Sequence, residues 1–429
     1  MPRRLLFGYI ALAVFMTGDG FELTFLSRFL VSNGFTPTQA GLAFTIYGLV
    51  VAFAAWTTGV MAEVFGAKRL MVLGGVLWMV LHVLFLTVGL QSVTGTILLY
   101  SLRGIAYPLF MYSFVVLIAQ TVDQSRLASA MGWFWASFSF GLGAMGAFLP
   151  SLMVPHIGEY ATLWVSLLFV GIGTLMCVFL VPTAQDSENV PEKLTGSQRT
   201  RELLRGVTIL VENPNILRSV VIRVLCNLTL YGFPMMMPLY LTTREIGGDA
   251  WFTLPEWMSM WAVMNTVTIV TNVIWGRIGD RFGWMRQMRW FGFVGMAIAT
   301  LCFAYFPVIF GANFPMMIMA AVIFAVAVTA FVPMGAIFPA LAPEHRGAAI
   351  SAHNLASGLT TFLGPGIATV LLPIVGPLGV CWVYAGLMIL GTVITFFIHP
   401  PQPGVTDATG RVLPHSSRGA IAASAVTTS

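Results

Sequence analysis

Charged residues are scarce in this chain: Asp, Glu, Lys and Arg make up 9% of its 429 residues. A soluble domain carries about 25% of these residues, so a protein surrounded by water on all sides is excluded. Cysteine is also rare, and the four cysteines stand singly in apolar runs, which indicates neither a disulfide framework nor a metal site. The sequence shows no nucleotide loop, no His/Cys ligand cluster and no soluble sensory domain, so we expect neither an enzyme nor a receptor, and no metal.

Long apolar runs take up most of the chain, of which 58% is hydrophobic. A helix needs about 20 apolar residues to cross the hydrocarbon core of a bilayer. Twelve runs meet this length, which predicts an all-α membrane protein with twelve transmembrane helices. We number these spans 1 to 12 in chain order: 5–31, 37–62, 69–90, 94–119, 127–152, 161–182, 215–242, 254–278, 287–310, 313–341, 348–374 and 377–398.

One long polar stretch, residues 183–214, separates spans 1–6 from spans 7–12. It predicts two six-helix bundles, 1–182 and 215–398, joined by a cytoplasmic central loop. The tail, 399–429, is rich in Ser, Thr and Ala after its prolines, a composition typical of disorder.

The positions of the basic residues predict the orientation in the membrane. With the amino terminus in the cytoplasm, seventeen Lys and Arg residues fall in inside segments, and only Arg28 and Arg244 fall outside. By the positive-inside rule, both termini are expected on the cytoplasmic side of the inner membrane. This distribution also accounts for the net charge of +5 without a nucleic-acid partner.

A short motif occurs twice, in equivalent loops of the two halves. The loop after span 2 reads GVMAEVFGAKRL (59–70), and the loop after span 8 reads GRIGDRFGWMRQ (276–287). Each copy has a glycine, an acid four residues later, a second glycine three residues after that, and nearby basic residues. A motif repeated six helices apart indicates a duplicated bundle.

This motif resembles the signature loop of the major facilitator superfamily, G-x-x-x-D-R-x-G-R-R/K. The first copy departs from it at Glu63 and Val64, whereas the second keeps Asp280 and Arg281. The resemblance implies the major facilitator fold, two pseudo-symmetric six-helix bundles that work by alternating access, with this loop as a cytoplasmic gate between the halves. The predicted gate residues are Gly59, Glu63, Gly66, Lys68, Gly276, Asp280, Arg281 and Gly283.

A finer resemblance covers nearly the whole chain except the central loop and the tail. The strings MTGDGFE (16–22), RGIAYPLFMYSF (103–114) and GWFWA (132–136) resemble the ribitol and arabinitol transporters of that superfamily. So do RWFG, AFVPM and GAAIS in the second half. The resemblance implies a monomeric symporter in the lipid bilayer that moves a small polyol with protons. The resemblance also implies that transport uses the proton gradient and no cofactor.

Asp19 and Glu22 lie near the middle of span 1, three residues apart and therefore on one face. Arg103 lies about nine residues into span 4, at a similar depth. One carboxylate can neutralise the arginine, which leaves the other free to carry a proton. We favour Asp19 as the carrier because its neighbours, Gly18 and Gly20, leave it open to water. A fixed structural ion pair is the alternative.

Polar and aromatic residues inside the spans are candidates for substrate binding, because a polyol offers hydroxyls to amides and C–H faces to rings. In span 7, Arg223 and Asn227 lie one turn apart; Arg223 could instead extend to the membrane surface. The amides could equally bond between helices, and the rings could serve packing. The remaining candidates are Tyr107, Trp133, Trp135, Asn265, Asn272 and Asn354.

Two other transport functions fit the same residues. One is uptake of a sugar acid or other small organic anion, whose carboxylate Arg103 and Arg223 would clamp. The other is substrate/proton antiport, as in drug efflux. The helix-5 signature of antiporters ends in Gly-Pro-x-x-Gly, and the sequence here reads GLGAMGAF (141–148) without proline. Antiport is therefore disfavoured.

Overall fold

The computed structural model describes residues 3–122, 124–182, 209–210, 212–342, 346–402 and 405–406. Most of the predicted central loop and tail therefore lies outside the described residues, and both remain predictions. The α-helices, in chain order, are Leu6–Gly20, Leu26–Ser32, Pro37–Phe65, Ala67–Thr87, Val93–Arg103, Ala106–Thr121, Gln124–Ser139, Gly146–Leu180, Pro214–Leu225, Leu228–Thr242, Leu254–Phe282, Trp284–Gln287, Gly295–Phe310, Phe314–Thr329, Met334–Leu341 and Arg346–Ile394.

Ten helical stretches among the described residues are long and apolar enough to cross a membrane. Two of them, of 51 and 46 residues, are too long for one crossing, since 51 residues of helix would extend roughly 76 Å. Each contains a glycine outside the helical region of backbone conformation, Gly158 at φ 80° and Gly376 at φ 68°. Dividing both stretches at these glycines agrees with the twelve predicted spans.

The repeat found in the sequence is also visible in the backbone. Thr36 and Thr253 each cap the amino terminus of a span with a complete capping box, and they are 217 residues apart. Gly66 and Gly283, also 217 residues apart, end these spans with nearly the same dihedral angles, φ 92° and 106° with ψ 127° in both. Only glycine adopts such angles readily. The two motif copies therefore form equivalent turns.

Spans 1, 4, 7 and 10 are each interrupted near the middle. The interruptions are a 3₁₀ turn at 21–24, the link at 104–105, the link at 226–227 and a turn at 330–333. A broken helix leaves backbone groups without helical partners, and membrane transporters use such breaks where a cavity lies at mid-depth.

The halves meet mainly toward one end of the bundle. We call the end that carries residue 3, Gly66 and Gly283 the N-terminal face, and the other end the opposite face. Among the described residues, the hydrogen bonds between spans 1–6 and 7–12 are found from mid-depth toward the opposite face. They are Trp257 to Thr24, Ser27 to Pro234, Thr45 to Thr369 and Thr361 to Gly48.

The buried apolar side chains divide in the same way. One cluster joins buried residues of the second half to residues 25–44 of the first half and to Phe85, Leu86, Tyr100, Ala147 and Leu163. The other holds only residues of the first half, including residues 5–16 of span 1. Among the residues whose side chains are described, the two cores therefore merge only away from the N-terminal face.

Close packing of spans 2 and 11 depends on missing side chains. A Cβ atom at Gly48 would lie 2.1 Å from the backbone oxygen of Thr361, and one at Gly41 would lie 2.4 Å from Oγ1 of Thr369. Small residues let membrane helices approach in this way. Bulk at these glycines would therefore push the halves apart.

Candidate functional site

Asp19 and Glu22 lie at the break in span 1, where the α-helix ends at Gly20 and a 3₁₀ turn follows. The glycines beside Asp19 serve close packing, because Cβ atoms at Gly18 and Gly20 would lie 2.5 Å and 2.3 Å from the backbone oxygens of Ser166 and Leu142. The sequence analysis favoured Asp19 because these glycines would leave it open to water. The close contacts show that the glycines allow helix packing instead.

Glu22 and Arg103 form an ion pair inside the first half. Arg103 is fully buried, and its Nη2 donates to Oε1 of Glu22. The structure thus brings together the residues that the sequence placed at one depth. Arginine keeps its charge in proteins, so Glu22 compensates a permanent cation.

Arg103 is also held by His82 of span 3. Its Nη1 donates to Nδ1 of His82, and because arginine cannot accept a hydrogen bond, Nδ1 must be the acceptor. Nε2 of His82 then carries the hydrogen and donates to the backbone oxygen of Leu163 at 3.0 Å. His82 is therefore neutral here and fixed in one tautomer.

Asp19 has a different partner. The indole Nε1 of Trp78 donates to Oδ1 of Asp19 at 2.6 Å, and Asp19 is only 5% exposed. The same indole ring lies 4.7 Å from the guanidinium carbon of Arg103. The two carboxylates are thus distinguished by their partners: Glu22 faces a cation, and Asp19 faces a neutral donor.

Arg223 of the second half is held by neutral groups. Its Nε donates to Nε2 of His353 at 3.1 Å, and its Nη2 donates to Oγ of Ser357 at 2.8 Å. With the Asn227 amide turned to suit its neighbours, its oxygen accepts from Nη1 at 3.1 Å. These bonds hold the side chain inside the bundle, against span 11. Within the described residues, no carboxylate pairs with it.

Tyrosines connect the two clusters. Tyr107, from the second part of span 4, is half-buried and lies within electrostatic range of Asp19 in its own half and of Tyr231 in span 7. Tyr112 and Arg223 also lie close enough to Tyr231 to interact with it electrostatically. Ionisable and hydroxyl groups from both halves therefore meet at the broken helices.

The other predicted binding residues lie in varied surroundings. Asn265 donates to the oxygen of Trp261 in its own helix at 2.9 Å and abuts Gly143 of the first half. Oδ1 of Asn354 lies 3.3 Å from Nδ1 of His353. Asn272 is half-buried further along span 8.

The two predicted tryptophans of span 5 are the most exposed candidates. Trp133 and Trp135 are each 46% exposed, and Trp135 packs edge-on against Phe134 and Phe138. No contact described for either residue joins it to the charged clusters. Their role in binding stays a prediction.

The predicted gate is only partly visible. The surroundings of Gly59 and the side chains of Glu63 and Asp280 lie outside the described set. Lys68 donates to the backbone oxygen of Val181 at 2.6 Å, within its own half. Gly276, Arg281 and the two positive-φ glycines lie at the N-terminal face, as the motif requires, and the gating role remains a prediction.

Two residues of the site escaped the sequence reading, Trp78 and Ser357. Trp78 lies four residues before His82 in span 3, and Ser357 lies four residues after His353 in span 11. Each pair shares one face of its helix, so extending the search one turn from His82 and from His353 would have found both.

Comparison with known proteins assigns the class. The family model described as Major Facilitator Superfamily matches residues 8–309 and 253–426. The chain belongs to this superfamily, and it is a multi-pass membrane transporter rather than an enzyme.

Particular relatives narrow the comparison further. The chain is 45% identical to the ribitol transporter of Klebsiella pneumoniae over 409 residues, which cover 95% of this chain and 94% of the relative. It is also 45% identical to the D-arabinitol transporter of that organism, over 96% of both chains. The crystal structure of the nucleoside transporter NupG aligns with a TM-score of 0.72 at 14% identity, over 92% of this chain and 99% of that one. This last likeness concerns the fold alone.

Proposed function

We propose that this protein imports a small polyol, such as ribitol or D-arabinitol, by proton symport with alternating access. The observation that carries the substrate class is 45% identity, over nearly the full length, to transporters of these two pentitols. The proposal of proton coupling rests on the unequal pairing of two buried carboxylates at mid-membrane, where an ionisable group is costly and its default interpretation is functional.

In this proposal Asp19 carries the proton. Glu22 is engaged by the permanent charge of Arg103, whereas Asp19 has one neutral donor, Trp78, and can become neutral without leaving a cation unpaired. The polyol would bind between the clusters, with its hydroxyls bonded to the Arg223 and Asn227 side chains and its carbon chain against Tyr107. Asn265, Asn272 and Asn354 remain further candidates.

Contact between the halves away from the N-terminal face, as the described residues show it, would correspond to the inward-facing state. This follows from the predicted orientation in the inner membrane, with both termini in the cytoplasm. The contacts of spans 2 and 11 would close the outer side, and the two motif loops would close the inner side in the other state. The protein would work as a monomer, driven by the proton gradient and without a cofactor.

A second candidate is uptake of a sugar acid. It is favoured by Arg223, which is half-buried and has only neutral partners among the described residues. Because Glu22 already neutralises Arg103, a clamp of two arginines is unavailable, and a substrate carboxylate would pair with Arg223 alone.

Uptake measurements separate these functions. Cells that express the protein would be given labelled ribitol, D-arabinitol or ribonate at external pH 6 and pH 8. Symport of a polyol predicts accumulation of a pentitol that is greater at pH 6. Accumulation of ribonate alone would instead support the sugar-acid function. Pentitol loss from preloaded cells that an acidic exterior accelerates would indicate antiport and contradict import.

A further inference from the structure

We propose that Trp78 is a positioning residue that keeps the two carboxylates of span 1 in separate roles. It holds Asp19 through its N–H group and keeps Arg103 against Glu22 through its ring. The inference rests on the proposed function, in which Asp19 carries the proton.

Trp78 contacts three members of this cluster. The residue is completely buried in span 3. Its Nε1 donates to Oδ1 of Asp19 at 2.6 Å, and its ring stacks on His82 with centroids 4.4 Å apart and planes 22° apart. The guanidinium of Arg103 lies over the same ring at 4.7 Å. One side chain therefore touches the proposed carrier, the cation and the residue that holds the cation.

The cluster contains one cation, Arg103, and two carboxylates, so something must determine which carboxylate pairs with the cation. Asp19 and Glu22 lie one helical turn apart, and the charge of Arg103 attracts both. The donors of Arg103 are directed to Glu22 on one side and to His82 on the other. Asp19 accepts its hydrogen bond from the indole N–H of Trp78 and not from Arg103. Without that N–H, Asp19 would lose the donor that stabilises its carboxylate after the proton leaves, and Arg103 would have no fixed choice between the acids.

A tryptophan that serves only packing would donate its N–H to a backbone oxygen, away from any charged group. Trp275 of span 8 shows such an arrangement: it is nearly as buried, and its Nε1 donates to the backbone oxygen of Val326 at 2.7 Å. It therefore provides a matched control, because replacing it removes the same N–H from a backbone partner.

The test compares Trp78→Phe with Trp275→Phe in cells and in proteoliposomes. Phenylalanine keeps an aromatic face for Arg103 and His82 but has no N–H. We expect Trp78→Phe to lower proton-driven accumulation of the labelled pentitol about tenfold, as for loss of a hydrogen bond to a charged group. Pentitol exchange and the KM for exchange should stay within about twofold. Trp275→Phe should leave the ratio of accumulation to exchange unchanged.

Two further variants show whether Trp78 acts through Asp19. In an Asp19→Asn background, Trp78→Phe should lower the melting temperature in detergent by less than it does in the wild type, because the charged acceptor is already gone; an equal decrease in both backgrounds would contradict action through Asp19. Trp78→His retains a ring N–H and should keep more accumulation than Trp78→Phe. It also provides the readout if the phenylalanine variant does not fold.

The outcomes separate this inference from the function on which it rests. If wild-type protein shows no proton-driven accumulation, the proposed function fails. If the wild type and Asp19→Asn behave as proposed while Trp78→Phe accumulates the pentitol normally, only the positioning role is wrong. An equal loss of accumulation and exchange in Trp78→Phe would show that the residue merely packs.

Discussion

Breaking the ion pair of Glu22 and Arg103 should cost far more stability than replacing the whole pair. Arg103 is fully buried, and Glu22 is its only carboxylate partner among the described residues. Glu22→Gln removes the carboxylate that bonds the guanidinium, and Asp19, which is held by Trp78, acts on that charge only from a greater distance. The guanidinium also lies 4.7 Å from the Trp78 ring and 4.9 Å from the Tyr100 ring. These contacts are present in the wild type as well, so they do not offset the loss of Glu22 in the variant. Removing one partner of a buried pair costs about 3–5 kcal/mol.

The double variant Glu22→Leu/Arg103→Met removes both charges and fills a similar volume, so most of this loss should be recovered. Thermal unfolding in detergent, followed by intrinsic fluorescence, should show Glu22→Gln melting roughly 5–10 °C below the wild type. The double variant should melt within about 2 °C of it. The control is Glu159→Gln, whose partner Arg28 is 3.9 Å away and partly exposed, and where about 0–1 kcal/mol is expected.

Two results would refute this reasoning. Glu22→Gln melting with the wild type would mean that the pair contributes no stability and that Arg103 is compensated in another way. A double variant as unstable as the single one would mean that the loss comes from packing, with the charge playing no part.

Three further predictions concern the closure of the halves, the binding residues and the gate. Gly48→Leu should slow transport at least tenfold while binding in detergent persists, because a side chain there would meet Thr361 and hinder closure of the halves; unchanged transport would contradict the packing. Asn265→Ala and Asn272→Ala should each weaken apparent pentitol affinity by about 0.5–1.5 kcal/mol, and loss of folded protein with normal affinity would indicate helix packing instead. Asp280→Asn should strongly impair transport but leave the binding affinity within a few-fold. Loss of binding in folded protein would show that the binding site is assigned wrongly.

The spans could be predicted from the sequence because length and apolarity alone decide whether a helix crosses a bilayer. Span 2 was predicted at 37–62 and runs Pro37–Phe65; span 8 was predicted at 254–278 and runs Leu254–Phe282. Their ends follow local rules, capping boxes at the start and a glycine at the end. The repeated motif even predicted which turns would match.

The breaks inside the spans could not be predicted, because they depend on contacts between helices. Nothing in the apolar pattern around 226–227 distinguishes a broken helix from a continuous one, whereas Pro333 was a signal for the break at 330–333 that the apolar pattern alone does not use. Likewise, the depth rule placed Arg103 near two acids but could not choose between them. That choice depends on Trp78, which comes from span 3 and fills the position beside Asp19.

The binding residues were the hardest to assign. A polar residue in an apolar helix must find a partner, but the sequence does not say whether that partner is protein or ligand. Asn265 bonds its own helix, and Arg223 bonds span 11, so both have partners before any substrate binds. For Trp133 and Trp135 the aromatic pattern carried no information about direction, and both are largely exposed.

The most direct test of proton symport through Asp19 is the pH of a lightly buffered cell suspension when an unlabelled pentitol is added. For the wild type, the medium should turn alkaline as protons enter with the polyol. For Asp19→Asn, the neutral side chain should abolish this change, while exchange of labelled for unlabelled pentitol continues. An Asp19→Asn protein that still turns the medium alkaline, or that still concentrates pentitol when the exterior is acidified, would contradict the account.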